Sequence, residues 1–165
     1  MLDFSNSKIL IVGDVMLDKY YFGKVDRISP EAPVPIVNIQ KEESRLGGAS
    51  NVANNIVSLG GHSLLCGVIG HDLFGKEIER ISRHKNIDTF LLKTSSPTIT
   101  KARIIGGKQQ IVRVDYEDKS ELNADNKKLF RDTISRILPE YDILVISDYG
   151  KGLISEDLCR YLIKL

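Results

Sequence analysis

The segment Ile9-Leu10-Ile11-Val12 is a continuous apolar run that follows Lys8 and ends at Gly13-Asp14. A strand with both faces covered shows such a run, because neither face meets water. The run therefore predicts a central strand of a parallel sheet packed between helices. Similar apolar runs occur at residues 63–69 and 143–146, and both are predicted to be further strands of the same sheet.

Four segments between and after these strands have the apolar spacing of amphipathic helices. They begin near Gly48, Phe74, Asn123 and Ser155. A short strand is expected near residues 89–92. Strands that alternate with helices predict an α/β fold, a three-layer sandwich with a mostly parallel central sheet.

Two segments do not fit the parallel pattern. Residues 18–45 contain three prolines and are expected to be irregular, with residues 33–39 as an edge strand or an excursion. Apolar and polar side chains alternate in residues 98–116 on both sides of Gly106-Gly107. This pattern predicts a hairpin with these glycines as its tight turn. We expect both to form a small β lid, with boundaries of about 19–45 and 95–116 for the lid and 1–18, 46–94 and 117–165 for the core.

The composition is that of one globular domain: 165 residues, 42% apolar and 27% charged. The formal net charge of +1 argues against nucleic acid as a partner. No apolar run is long enough to span a membrane, and no secretory signal is visible, so a cytoplasmic location is expected. Cys66 and Cys159 are predicted to be buried core thiols, and the three histidines have no metal-ligand spacing.

Ligands of parallel α/β sheets bind beyond the carboxyl ends of the strands, so residues at those ends are candidates for a binding site. Asp14, expected to be exposed at a strand end, has a carboxylate that can accept hydrogen bonds from two sugar hydroxyls. Taken alone, an aspartate in a turn explains it better. Gly47-Gly48 lets a ligand approach the backbone, and Asn51 offers a donor and an acceptor. A plain glycine-rich loop explains these residues equally well.

The spacing around the glycine pair is more specific. The run GGASNVA at residues 47–53, six residues, Gly60, nine residues and then Gly70 resembles the first signature of the ribokinase (PfkB-type) carbohydrate kinases. Three further stretches resemble the heptose 7-phosphate kinase branch of that family: VGDVMLDKY (12–20), RISPEAPVP (27–35) and SDYGKG (147–152). The resemblance covers essentially all of the chain.

This resemblance implies a ribokinase-like sandwich and a sugar kinase activity. The implied reaction is ATP-dependent phosphorylation of D-glycero-D-manno-heptose 7-phosphate at its anomeric hydroxyl, in ADP- or GDP-heptose synthesis for the lipopolysaccharide core. The implied partners are a small-molecule sugar phosphate and a second copy of the chain, bound through the lid. Two alternatives remain open, a kinase for another sugar or sugar phosphate, and a non-catalytic module for sugar-phosphate binding or dimerisation.

The resemblance also assigns substrate-binding residues. Asp14, Gly47, Gly48 and Asn51 match family positions that hold sugar hydroxyls, and Asp148 matches a polar position near substrate or nucleotide. A heptose 7-phosphate needs cationic or polar groups near its phosphate, for which Lys151, Arg103 and Gln110 are candidates. A solvated loop lysine explains Lys151 equally well, and an exposed lid side chain is the simpler interpretation of Arg103 or Gln110 taken alone.

Two motifs of the family do not occur in the 165 residues. One is the Gly-Ala-Gly-Asp run, which stabilises the transferred phosphoryl group and supplies the catalytic base. The other is the Asn-x-x-Glu element associated with Mg-ATP. The resemblance thus implies a fold truncated on its C-terminal side, with the sites for ATP and Mg²⁺ outside this chain. No catalytic residue is assigned, and we expect no kinase activity from these residues alone.

Overall fold

The computed structural model describes residues 4–118 and 122–165, and in this part of the chain the strands form two sheets. Residues 1–3 and 119–121, which fall within the predicted core segments, lie outside the described residues. Sheet A is parallel and has the strand order β5-β4-β1-β8. Its strands are β1 (Lys8–Gly13), β4 (His62–Gly70), β5 (Asp88–Thr94) and β8 (Ile143–Ser147).

Helices cover both faces of sheet A. They are α1 (Ala49–Ser58), α2 (Leu73–His84), α3 (Ala124–Ile137) and α4 (Glu156–Lys164). Successive residues of β1 point to opposite faces, so Ile9 and Ile11 pack with α1 and α2, whereas Leu10 and Val12 pack with α3 and α4. Both faces are therefore buried, which confirms the predicted three-layer α/β sandwich with a parallel central sheet.

Sheet B is the second layer of strands and has the order β3-β2-β6-β7. Its strands are β2 (Val15–Ile28), β3 (Pro35–Gly48), β6 (Thr100–Gly106) and β7 (Gln109–Tyr116). The strands β2 and β6 are parallel, whereas β3 and β7 pair antiparallel with their neighbours. Sheet B thus combines the two segments that did not fit the parallel pattern; the division into lid and core remains a prediction.

Two details of the lid differ from the sequence prediction. Residues 18–45 are not irregular, because they form most of the paired strands β2 and β3. Their prolines lie in the connection and at Pro35, the first residue of β3, an edge position that needs no ladder N–H. The hairpin turn is Gly107-Lys108 rather than Gly106-Gly107, since Gly106 pairs with Gln109 and Gly107 has a φ of +63°.

The two cysteines differ in exposure. Cys66 is fully buried in β4, and burial raises the pKa of its thiol to about 12, so it stays protonated. Cys159, on α4, is only partly buried, which corrects the prediction that both are core thiols. No helix among the described residues is long and apolar enough to cross a membrane.

A hydrogen-bond cluster at Asp72 fixes the start of β6 to the core. The Asp72 carboxylate accepts bonds from the Gly75 N–H, which caps α2, and from the Thr98 N–H and hydroxyl, each at 2.7 Å. The Thr98 hydroxyl oxygen accepts the N–H of Gly70 at 2.8 Å. Although burial acts to raise the pKa of Asp72, these hydrogen bonds bring it below the usual value. These hydrogen bonds therefore hold Thr98, just before the first strand of the lid hairpin, against the core.

Candidate functional site

An open cavity of about 620 Å³ lies where sheet B meets α1 and α2. Polar side chains from three elements line it, Asp18 and Tyr20 of β2, Arg45 of β3, and Asn51 and Asn54 of α1. Strand β3 leads directly into α1, which places the lid beside the helix N-terminus. The cavity therefore offers carboxylate, amide and guanidinium groups, which suit a ligand rich in oxygen atoms.

The glycine pair between β3 and α1 has a steric role in this site. A Cβ at Gly47 would lie 2.5 Å from Oδ2 of Asp18 and 2.9 Å from Cγ of Met16, so any side chain there would push the Asp18 carboxylate out of its position. Gly48 has a φ of +55°, and a Cβ there would lie 2.3 Å from the carbonyl oxygen of Asp14. The Gly47-Gly48 pair thus lets the Asp18 carboxylate pack against the chain at the start of α1.

Asp18 is a candidate that the sequence analysis missed. Its Oδ1 accepts a hydrogen bond from Nη1 of Arg103 at 2.6 Å, and its side chain is only 21% exposed. It lines the same cavity as Asn51, one turn into α1. The alternation of side chains along β2 contained the signal, because it places Asp18 on one face with Tyr20. That signal required residues 18–45 to be recognised as strands.

The two lid candidates from the sequence analysis, Arg103 and Gln110, lie at different distances from the Asp18 carboxylate. Arg103 contacts Asp18, which lines the cavity, but Arg103 itself is not one of the lining residues. Gln110 is exposed and pairs with Ile105, which in turn pairs with Phe22. Phe22 follows Asp18 by four residues, about 13 Å along the strand. Gln110 is therefore outside the cavity, and its role in phosphate binding remains a prediction.

Asp14 lies in a different environment. Only 2% of it is exposed, which contradicts the expectation of an exposed strand-end carboxylate. Its Oδ2 accepts the N–H groups of Tyr149 at 2.8 Å and Lys151 at 3.1 Å, because the loop after β8 folds over it. Its Oδ1 is also buried and has no hydrogen-bond partner among the described residues. Asp14 lines a second, small cavity of about 40 Å³ that Asn51 does not line, and its role in binding sugar hydroxyls remains a prediction.

The two remaining candidates lie in the same loop after β8. The Asp148 side chain is exposed, and its Oδ1 accepts the N–H of Gly150 at 2.8 Å. The ammonium of Lys151 lies 2.5 Å from Oε2 of Glu117, and Lys151 lines the small cavity with Asp14. Neither residue lines the 620 Å³ cavity, and their roles in substrate binding remain predictions.

Comparison with known sequences points to one family. Residues 6–164 match the model of the pfkB family carbohydrate kinases. The chain is 48% identical over 160 residues to the bifunctional protein HldE of Helicobacter pylori (strain P12), covering 96% of this chain and 35% of that protein. It is 46% identical over 151 residues to the D-beta-D-heptose 7-phosphate kinase of Bordetella bronchiseptica, covering 91% of this chain and 48% of that protein. The chain therefore spans about a third to a half of the length of these curated relatives.

Solved structures share the same arrangement of strands and helices. Phosphofructokinase-2 from Escherichia coli, in complex with fructose-6-phosphate, aligns with a TM-score of 0.68 at 18% identity, covering 96% of this chain and 50% of that one. A carbohydrate kinase from Agrobacterium tumefaciens aligns with a TM-score of 0.68 at 18% identity, covering 94% of this chain and 48% of that one. At these identities the likeness shows the fold, and it confirms the predicted ribokinase-like architecture.

Proposed function

Because the chain belongs to the pfkB family of carbohydrate kinases, we propose that it is the sugar-binding part of a D-glycero-D-manno-heptose 7-phosphate kinase. The observation that carries this proposal is the 46% identity to a D-beta-D-heptose 7-phosphate kinase over 91% of the chain. The complete kinase transfers the γ-phosphoryl group of ATP to the anomeric hydroxyl of the heptose and forms the 1,7-bisphosphate. We place this reaction in the cytoplasm, in ADP- or GDP-heptose synthesis for the lipopolysaccharide core.

The residues around the 620 Å³ cavity support a role in holding the sugar. The Asp18 carboxylate accepts hydrogen bonds from sugar hydroxyls, and the Asn51 amide both donates and accepts. Gly47-Gly48 lets the start of α1 approach the Asp18 carboxylate, which brings Asn51 close to it, while the Ala49 N–H is bonded to the carbonyl oxygen of Asp14 at 2.9 Å. Bound in this way, the acceptor is oriented before transfer, which is the main contribution that a kinase makes.

Mg-ATP supplies the phosphoryl group in the proposed reaction. Within residues 4–118 and 122–165, no three His, Cys, Asp or Glu side chains form a group suited to a metal ion. The role proposed for the described residues is to bind and orient the sugar.

A chimera tests the proposed function. The 165 residues replace the aligned segment of the Helicobacter pylori (strain P12) relative, which matches over 160 residues. We expect ADP release that depends on heptose 7-phosphate, with a kcat/KM for fructose 6-phosphate at least about tenfold lower, since mismatched hydroxyls leave polar groups unpaired. The unmodified relative is the control. Turnover with fructose 6-phosphate and none with the heptose would contradict the proposal.

We propose further that a second copy of the chain covers the lid. Strand β7 is an edge of sheet B, and 47% of Val112 and 42% of Val114 are exposed on one of its faces. An exposed apolar edge strand favours association, and twofold symmetry is the usual arrangement for two identical chains.

We expect light scattering to show a dimer that the double variant Val112→Lys/Val114→Lys converts to a monomer, because two buried lysines would face the partner copy. Ile111→Lys, on the opposite face of β7 and 38% exposed, is the matched control and should leave the dimer intact. A monomeric wild-type chain, or a dimer that both lysines leave unchanged, would exclude the lid as the interface.

A further inference from the structure

The strands β2 and β6 pair in parallel, and no turn sets their register. Asp18 and Arg103, whose side chains meet across this pair, are 85 residues apart in the sequence. The other two strand pairs of sheet B are antiparallel, and the short connections 29–34 and 107–108 restrict their registers. All residues of β2 from 18 to 22 are half-buried, so burial of one face specifies the register only weakly. The pairing of β6 with β2 therefore needs another determinant.

The position of Arg103 depends on this register. Its guanidinium contacts the Asp18 carboxylate at 2.6 Å and lies 5.1 Å from the centroid of the Tyr20 ring. In the sheet, Arg103 is paired with Tyr20. A shift of β6 by one residue would turn Arg103 to the opposite face, where its neighbour Ala102 is only 4% exposed. Arg103 can thus contact Asp18, which lines the 620 Å³ cavity, only in the observed register.

The Asp72 carboxylate does more than cap α2. Its Oδ1 accepts the N–H of Gly75, and one such acceptor is all that a helix cap needs, so Asp, Asn and Ser cap about equally well. Oδ2 accepts the N–H of Thr98 at 2.7 Å, and Oδ1 also accepts the Thr98 hydroxyl at 2.7 Å. The second oxygen is therefore used for the segment that enters the lid and not for the helix.

Thr98 carries this fixed position to the first contact between β6 and β2. It is only 1% exposed, and its hydroxyl oxygen accepts the N–H of Gly70 at the end of β4. The carbonyl oxygen of the next residue, Ile99, accepts the N–H of Leu17 on β2 at 2.9 Å. The bonds of Asp72 therefore hold β6 directly beside the point at which the two lid strands leave the core together.

The packing around Gly70 leaves this segment little freedom to slip. A Cβ at Gly70 would lie 2.7 Å from Oδ2 of Asp72 and 2.8 Å from the backbone nitrogen of Thr98. A Cβ at Gly75 would lie 2.6 Å from the carbonyl oxygen of Gly70. The two glycines thus let the end of β4, the start of α2 and the segment before β6 pack directly on one another.

We propose that Asp72 is a positioning residue that sets the register of β6 against β2 and thereby holds Arg103 beside Asp18. It acts through Thr98, which lies about 16 Å along the strand from Arg103, and it does not line the 620 Å³ cavity. The consequence for sugar binding rests on the proposed function, whereas the pairing of the two strands can be measured without a ligand.

Asp72→Ser tests the pairing, because serine keeps a helix cap but loses the second oxygen. Asn123→Ser is the matched control, since Asn123 caps α3 through the Asn126 N–H and the change again exchanges one capping residue for another. Native-state hydrogen exchange of the chain measures the effect. We expect the β6 amides to exchange about tenfold faster or more in Asp72→Ser, the size of a lost hydrogen bond to a charged group, and to change less than about twofold in the control.

Calorimetric titration with heptose 7-phosphate tests the positioning of Arg103. We expect Asp72→Ser to weaken binding by about tenfold in the otherwise unchanged chain, because Arg103 no longer stays beside Asp18. In a chain that carries Arg103→Gln, the same change should weaken binding by less than about twofold. A merely structural loss would lower both affinities by the same factor, since distant sites without shared partners contribute additively.

The two measurements separate this inference from the proposed function. Equal exchange rates of the β6 amides in Asp72→Ser and Asn123→Ser would overturn the role of Asp72, as would an equal loss of affinity with and without Arg103. If Asp72→Ser does not fold, Thr98→Val, which removes only the hydroxyl contacts, should accelerate the same amides, and unchanged rates would overturn the proposal. A wild-type chain that does not bind heptose 7-phosphate would contradict the proposed function, and hydrogen exchange would still decide whether Asp72 sets the register.

Discussion

Replacing Asp14 with alanine is expected to lower the free energy of unfolding of the chain by roughly 2–3 kcal/mol. Oδ2 of Asp14 accepts two backbone N–H groups of the loop after β8, at 2.8 Å and 3.1 Å. Hydrogen bonds to a charged group contribute about 1.5–3 kcal/mol each. Removing the buried Oδ1, which has no partner among the described residues, offsets part of that loss.

Urea unfolding followed by circular dichroism measures this loss, and Asp148→Ala provides the control. Asp148 follows the neighbouring strand β8, is exposed, and accepts only a local N–H from Gly150 among the contacts described. Its replacement should cost less than about 1 kcal/mol, as is usual for surface sites. Equal losses for the two variants would show that Asp14 is a turn residue of no special structural importance.

The sandwich could be predicted from the sequence because its signals are local. The apolar run of β1 indicates burial on both faces, and the amphipathic segments indicate where helices cover it. Ser155 and Asn123 could be predicted as helix starts because both residue types are preferred at the N-cap. In the structure each side chain accepts an N–H in the first turn of its helix. Such features depend on residues a few positions apart, and they need no knowledge of the rest of the chain.

The length of the lid strands could not be predicted in the same way. Residues 18–45 carry many charges, and their backbone N–H and C=O groups are satisfied by pairing between β2 and β3 and between β2 and β6. The partner β6 lies about 80 residues away from β2 in the sequence, as in the pair of Arg103 with Asp18. The alternation along β2 does not separate apolar from polar side chains, and its distant partner cannot be identified from the segment itself, so prolines dominated the prediction.

At the candidate site, too, contacts between distant residues could not be predicted from the sequence, and this affects the comparison of Asp14 with Asp18. Asp14 directly follows a core strand, which made it the natural candidate for a ligand at the sheet edge. Its burial comes from Tyr149 and Lys151, 135 and 137 residues further along the chain. Asp18 becomes a candidate only when Gly47 is seen packed against its carboxylate. Position along the chain therefore predicted the region, and tertiary contacts add Asp18 as a second candidate there, while the role of Asp14 in binding sugar hydroxyls remains a prediction.

If Asp18 binds the sugar hydroxyls as proposed, Asp18→Asn should weaken binding of heptose 7-phosphate to the chain by about a hundredfold, roughly 3 kcal/mol. An amide of the same shape keeps the packing against Gly47, but it replaces one acceptor by a donor and loses the charge that strengthens bonds from sugar hydroxyls. It also weakens the 2.6 Å contact that holds Arg103 beside the cavity. Calorimetric titration of the folded variant gives the dissociation constant directly.

Asp115→Asn is the matched control for this measurement. Asp115 lies on the same lid, is paired with Arg113 at 2.8 Å, and is 25% exposed against 21% for Asp18, but it does not line the cavity. Its replacement should change the dissociation constant by less than about threefold, because a surface ion pair contributes at most about 1 kcal/mol. If Asp18→Asn also stays within threefold of the wild type, the hydroxyl-binding site does not lie in the cavity between β2, β3 and α1. A loss confined to Asp14→Asn, measured where both variants are fully folded, would place that site at the small cavity beneath the loop after β8.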